Sequence, residues 1–148
     1  MEDYKILLLK SEDIDRVWPG IEPLIQKGLD TMTIGGHSIQ KHLSTNDYYE
    51  WAQKDLLQIF IVVKDKQIKL MTITQLLPYP RFKVLEYLMC SGEGLKNFSD
   101  RLAKVVEDFA NAEKCKRMIV TAPKGFMKYL KDWEELKDRH RVTIMKEL

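Results

Sequence analysis

The chain has 148 residues, 45% hydrophobic and 31% charged, a balance that excludes a disordered polymer and lets a domain of ordinary size build its own core. Twenty-four Lys and Arg against 22 Asp and Glu leave a net charge of +2, too small to make nucleic acid or an anionic membrane an obligate partner. Cys90 and Cys115 are the only cysteines. They show neither metal-ligand spacing nor a disulfide framework, which suits two reduced core residues in a cytoplasmic protein. The first ten residues, MEDYKILLLK, begin acidic around a short apolar run, unlike a signal peptide. No stretch approaches the roughly 20 apolar residues of a membrane helix.

Tyr4 to Leu9 reads as a short opening strand. Ser11 stands as the N-cap of the next element, with Glu12 and Asp13 placed at the positive end of its dipole. Ile14, Val17, Trp18, Ile21, Leu24, Ile25 and Leu29 recur at steps of three and four, one apolar helical stripe. Pro19, Gly20 and Pro23 interrupt it and predict a kinked or two-piece helix. Gly35-Gly36 marks a loop, and Ser38 can cap a short helix through Leu43. Asn46 or Asp47 can cap another that carries Tyr48, Trp51 and Ala52.

The run Leu57–Lys64, LQIFIVVK, is dense in β-branched residues and predicts a buried strand. Asp65-Lys66-Gln67 is a tight polar connection, and Ile68 to Leu77 alternates again, so the pair reads as an antiparallel hairpin. Pro78-Tyr79-Pro80 forces a turn before a third strand, Phe82 to Cys90. The loop Ser91-Gly92-Glu93-Gly94 then opens a long helix with Leu95, Phe98, Leu102, Val105, Val106 and Phe109 on its apolar face. Met118 to Ala122 is a further strand ended by Pro123. Gly125 to about Trp133 suits a short helix, and Arg141 to Leu148 a final strand. The third strand should run parallel to the one near residues 117–122, because a long helix separates them.

This order, with a glycine-bearing loop between a three-stranded meander and a long helix, resembles the GNAT superfamily of acyl-CoA-dependent N-acyltransferases over nearly the whole chain. The sharpest local match is Met89-Cys90-Ser91-Gly92-Glu93-Gly94. It keeps the spacing of the family's pyrophosphate loop: Arg or Gln, two residues, Gly, one residue, then Gly or Ala. Met89 stands where the family has Arg or Gln, and Glu93 adds a negative charge to the loop. The resemblance implies an α/β GNAT-like fold with a mixed central sheet and flanking helices, in one domain over residues 1–148. It also implies acetyl-CoA as acyl donor, no metal, and donor contacts from Met89, Cys90, Ser91, Gly92, Glu93, Gly94 and Leu95. Glycines let backbone N–H groups approach a diphosphate at a helix N-terminus; the same glycines also suit a plain strand-to-helix turn. The stretches DIDRVWPGIEPLI, YPRFKVLEYL, GEGL and MKEL look like small GNAT-like proteins encoded by tailed phages.

Direct acyl transfer to an amine needs a base for the incoming ammonium and an acid for the departing thiolate. Glu86 is the candidate base. Period-two alternation puts it on one face with Phe82, Val84, Leu88 and Cys90, where burial would raise its pKa toward a useful range. The alternative is a solvated carboxylate or one paired with Lys. Many GNAT enzymes carry the acid as a tyrosine on the short helix after the fifth main strand, and Tyr129 is the tyrosine there. The family ends that helix with Gly-Phe where Asp132-Trp133 stands nearest, which offsets Tyr129 by about one position. One residue rotates a helical side chain by roughly 100°, so Tyr129 can instead face the core.

His37, His42 and His140 lie far apart without a ligand motif and read as surface residues. Tyr48, Tyr49 and Trp51 fall where GNAT folds often build the acceptor site; core packing is the competing reading, at least for Trp51. Lys124, Lys128 and Lys131 can meet CoA phosphates or form a solvated face. Two functions follow. One is an acyl-CoA-dependent N-acetyltransferase acting on a small-molecule or peptide amine. The other is a catalytically inactive GNAT-fold binding or assembly protein with a protein partner, in a phage particle or the host cytoplasm.

Overall fold

Asp65 and Lys66 both take left-handed backbone conformations, φ 53° and 61°, the twist that a two-residue hairpin turn requires. They join β2 (Gln58–Lys64) to β3 (Gln67–Pro78). The computed structural model describes residues 3–32, 42–122, 124–136, 140–142, 144, 146 and 148. With β1 (Tyr4–Leu8), β4 (Lys83–Gly92) and β5 (Cys115–Val120), the strands form one sheet in the order β1-β2-β3-β4-β5. Neighbours from β1 to β4 are antiparallel, and β4 and β5 are parallel. The long helix α3 (Leu95–Ala112) makes the parallel crossover, as its position between the two strands predicts.

Alternation along β2 fills both faces of the sheet. Ile59 and Ile61 point to one face, where α1 (Ile14–Met32) and α2 (Thr45–Gln53) bury Ile14, Ile21, Ile25, Leu29 and Tyr48 against Met71, Ile73 and Met89. Phe60 and Val62 point to the other, against Phe98, Leu102 and Val106 of α3. A buried side chain of this size contributes about 1.5–3 kcal/mol, so the apolar β2 run anchors two helical layers at once. No helix among the described residues is long and apolar enough to cross a membrane.

Several local expectations are corrected. The first helix is one continuous element, not a two-piece one, with both prolines inside it. Pro19 and Pro23 are four apart and exposed, off the buried stripe of Ile14, Ile21, Ile25 and Leu29. Ser11 is not an N-cap; it lies within a 3-10 turn, Ser11–Asp13, and its hydroxyl donates to Asp55 Oδ2 at 3.4 Å. The cap of α2 is Ser44, and Asp47 reaches back to accept its backbone N–H at 2.8 Å and its hydroxyl at 3.2 Å. Ser91 and Gly92 are strand, not loop. Gly125 to Trp133 holds only a 3-10 segment, Lys124–Tyr129. The described residues of 141–148 carry no strand, and Gly35-Gly36 and Ser38 lie outside the described residues.

Candidate functional site

In the β3–β4 register Ile73 faces Met89 and Thr74 faces Tyr87, so Leu88 is an extra residue in β4. It forms a bulge, which re-aims the side chains beyond it. The buried Thr72 hydroxyl donates to the Met89 carbonyl at 2.8 Å, holding the strand just past the bulge. On the other side, pairing between β4 and β5 ends at Tyr87 opposite Val120. There β5 stops, while β4 continues to Gly92. Leu88–Gly92 therefore present a backbone edge with no β5 ladder partner, and this edge leads into the N-terminus of α3.

The bulge corrects the expected face pattern. Leu88 lies on the α1 and α2 face, which Glu86 shares by alternation between Leu85 and Tyr87 of the α3 face, but Cys90 joins Tyr87 on the α3 face. Alternation fails because the bulge adds one residue between them. Glu86 is half-buried, sits opposite Gln75 in β3 and Ile119 in β5, and accepts a hydrogen bond from Gln75 Nε2 at 2.6 Å. Tyr87 sits opposite Thr74 and Val120, with its ring 6.0 Å from that of Trp133. Burial first, then the nearby Cys90 and Glu107, push the Tyr87 hydroxyl well above the ordinary tyrosine range. Burial likewise pushes the Cys90 thiol up, to about 11 against an ordinary 9.0, offset in part by a hydrogen bond with Thr72.

The candidate donor loop divides into parts with different surroundings. The Met89 side chain is buried against Gly28 of α1, and a Cβ at Gly28 would stand 2.5 Å from its sulfur. Ser91 is 7% exposed, pairs with Met71, and its Oγ has no hydrogen-bond partner among the described residues. Gly92, at φ 130°, pairs with Leu70. The Glu93 amide donates to the Lys69 carbonyl at 2.8 Å, and its exposed carboxylate lies 3.6 Å from Lys69 Nζ. Gly94, at φ 83°, precedes α3 and its carbonyl accepts from Asn97 and Phe98. The helix-terminal N–H groups of Leu95 and Lys96 have no acceptor within α3.

Tyr129 ends the 3-10 segment, half-buried, 6.1 Å from the Phe126 ring and with Lys128 Nζ 5.1 Å from its own centroid. Tyr48 is buried core with Trp51 edge-on at 5.6 Å, whereas Tyr49 turns to α1, donating to Asp15 and packing on Trp18 at 5.0 Å. Lys128, Lys131, His42 and His140 are exposed, and His37 lies outside the described residues. Gln75, Tyr87 and Trp133 are the residues that sequence reasoning passed over. Strand pairing brings the first two to the site, Gln75 opposite Glu86 and Tyr87 opposite Val120, and no residue type in β4 marks that register.

This mixed five-stranded sheet with flanking helices is the fold of GNAT acetyltransferases. No family model matches the chain, and no curated protein matches it. Solved structures do. A ribosomal-protein-alanine N-acetyltransferase from Brucella melitensis biovar Abortus 2308 is 14% identical with a TM-score of 0.63, over 97% of this chain and 99% of that one. A predicted acetyltransferase from Clostridium acetobutylicum, solved with acetyl-CoA, is 12% identical with a TM-score of 0.69, over 96% of each chain. An aminoglycoside acetyltransferase from an uncultured soil metagenomic sample, in complex with sisomicin, is 12% identical with a TM-score of 0.67, over 98% of this chain and 96% of that one.

Proposed function

We propose that this chain is an acyl-CoA-dependent N-acetyltransferase that moves an acetyl group directly from acetyl-CoA to an amine, small-molecule or peptide. The observation that carries the reading is the release of β4 from β5 at Tyr87, beside the bulge at Leu88. The amide-bearing arm of acetyl-CoA can add to the backbone edge of Leu88–Gly92, which has no β5 partner, as a strand would. Its diphosphate then reaches the N–H groups of Leu95 and Lys96, where the α3 dipole favours negative charge. The Ser91 hydroxyl supports the same placement: a buried hydroxyl without a partner costs about 1–3 kcal/mol, which a polar ligand at this strand end would offset. Of the seven residues Met89–Leu95, Met89 acts by packing and Glu93 by pairing with Lys69.

Glu86 takes the proton from the incoming ammonium on the α1 and α2 face, with Gln75 orienting one carboxylate oxygen. Cys90 is protonated at neutral pH, so a covalent acyl-cysteine is disfavoured and transfer is direct. The four stretches similar to tailed-phage proteins support a phage gene acting in the host cytoplasm. Met89 in place of Arg or Gln favours the second reading, a GNAT-fold binding or assembly protein without catalysis. Calorimetric titration with acetyl-CoA separates the two. Saturable one-to-one binding is expected, and no heat at millimolar ligand would leave only the second reading.

A further inference from the structure

Glu86 and Tyr87 are consecutive on β4, so their side chains stand on opposite faces of the sheet. They occupy the last two rungs before β4 and β5 part, Glu86 opposite Ile119 and Tyr87 opposite Val120. A thioester lying in that opening has a carboxylate on one side and a phenol on the other. The 3-10 segment carries Tyr129 with Phe126 and Lys128 as its ring neighbours, whereas Tyr87 belongs to the strand that borders the opening. Trp133 packs on the Tyr87 ring at 6.0 Å and Thr74 lies across the strand from it, so the phenol is held in place by its neighbours on β3 and beyond β5.

We infer that Tyr87, on the α3 face at the parting of β4 and β5, donates a hydrogen bond to the thioester sulfur and stabilises the thiolate as it leaves. The inference rests on the acetyltransferase reading. The amine nitrogen, freed of its ammonium proton by Glu86, forms the C–N bond. The C–S electron pair passes to sulfur, and the surplus proton on nitrogen moves to sulfur to give the CoA thiol. Glu86 then returns its proton to water. Tyr87 keeps its own proton throughout. Burial suits it to that role, since a hydroxyl that resists ionisation stays a donor at every physiological pH. The same burial makes it a poor proton source, which separates this role from acid catalysis.

The deciding measurement, a thiol titration, needs no acceptor. CoA is bound to the wild-type chain and to Tyr87→Phe, and the bound thiol is titrated by the ultraviolet absorbance of its thiolate. Phenylalanine keeps the ring against Trp133, and Tyr87→Met serves as a second hydroxyl-free variant where the first folds poorly. Losing a hydrogen bond to a charged sulfur should raise the bound thiol's pKa by about one unit. The rate with acetyl-CoA should fall about tenfold, and the fall should shrink with acyl donors whose thiols are more acidic. Identical thiol titration in wild type and both variants, with CoA still bound, would overturn the inference and leave the acetyltransferase reading standing. Failure of the wild-type chain to bind CoA would remove that reading and this inference with it.

Discussion

Met89 of β4 lies directly on Gly28 of α1, so close that a Cβ at residue 28 would meet its sulfur at 2.5 Å and its Cγ at 2.8 Å. The contact sets how near α1 can come to the strand that carries the site. Alanine at 28 would gain about 1 kcal/mol of helix propensity but overpack the core by about 1–3 kcal/mol, a net loss. Met89→Ala alone should cost about 2–5 kcal/mol through the cavity it leaves. In that background Gly28→Ala should become stabilising, because the added methyl occupies vacated space. Urea denaturation of the four proteins checks this, and strictly additive effects would contradict the contact.

Gly92 and Gly94 should differ in what they tolerate. A Cβ at Gly92 would stand 2.3 Å from the Lys69 carbonyl oxygen, which is ladder backbone and cannot move aside; one at Gly94 would meet the Phe98 ring at 2.5 Å, which can shift. Left-handed backbone alone costs a non-glycine residue about 1–2 kcal/mol. Gly92→Ala should therefore lose at least about 3 kcal/mol and Gly94→Ala less. Gly94→Val is consequently no clean probe of ligand binding, since it strains the start of α3. Unfolding midpoints in the reverse order would be inconsistent with the strand assignment of Gly92.

Glu86→Gln should lower acetyl transfer by at least about 10²-fold, the lower end for a general base, while acetyl-CoA affinity holds. Tyr129→Phe should change the rate little. Thiol release from acetyl-CoA, followed with polyamines, amino acids and peptide N-termini as acceptors, measures both. Turnover that survives Glu86→Gln but is lost in Tyr129→Phe would reverse the roles.

Cys90 gives a pH signature. Its pKa is raised by folding, from an ordinary 9.0 to about 11, so the folded state holds the proton more tightly. The resulting stability is complete below about pH 9 and is lost as pH rises to about 11. Tyr87, shifted the same way, adds to the alkaline loss. Cys90→Ala should flatten the fall in stability over that window, as read by denaturant unfolding at stepped pH. A slope unchanged by the substitution would show that Cys90 is not the group responsible.

Apolar periodicity alone determined the layers. The steps of three and four from Ile14 to Leu29 and from Leu95 to Phe109 mark α1 and α3, and the β-branched run in LQIFIVVK marks a strand buried on both faces. These signals are local, since each element's own side chains must meet the core at the element's own period. Glycine and element order likewise made the turn into α3 and the parallel return of β5 legible. The site was decided by pairing between distant strands. The bulge at Leu88 exists because Thr74 registers with Tyr87 and Ile73 with Met89, and Thr72 holds the Met89 carbonyl. That one extra residue moves Cys90 to the face opposite Glu86, and the end of β5 at Val120 opens the edge beyond. Register is a contact between residues 13 to 22 positions apart here, from Thr74 with Tyr87 to Leu70 with Gly92, so the pattern within β4 could place Glu86 on a strand but not Tyr87 beside the opening.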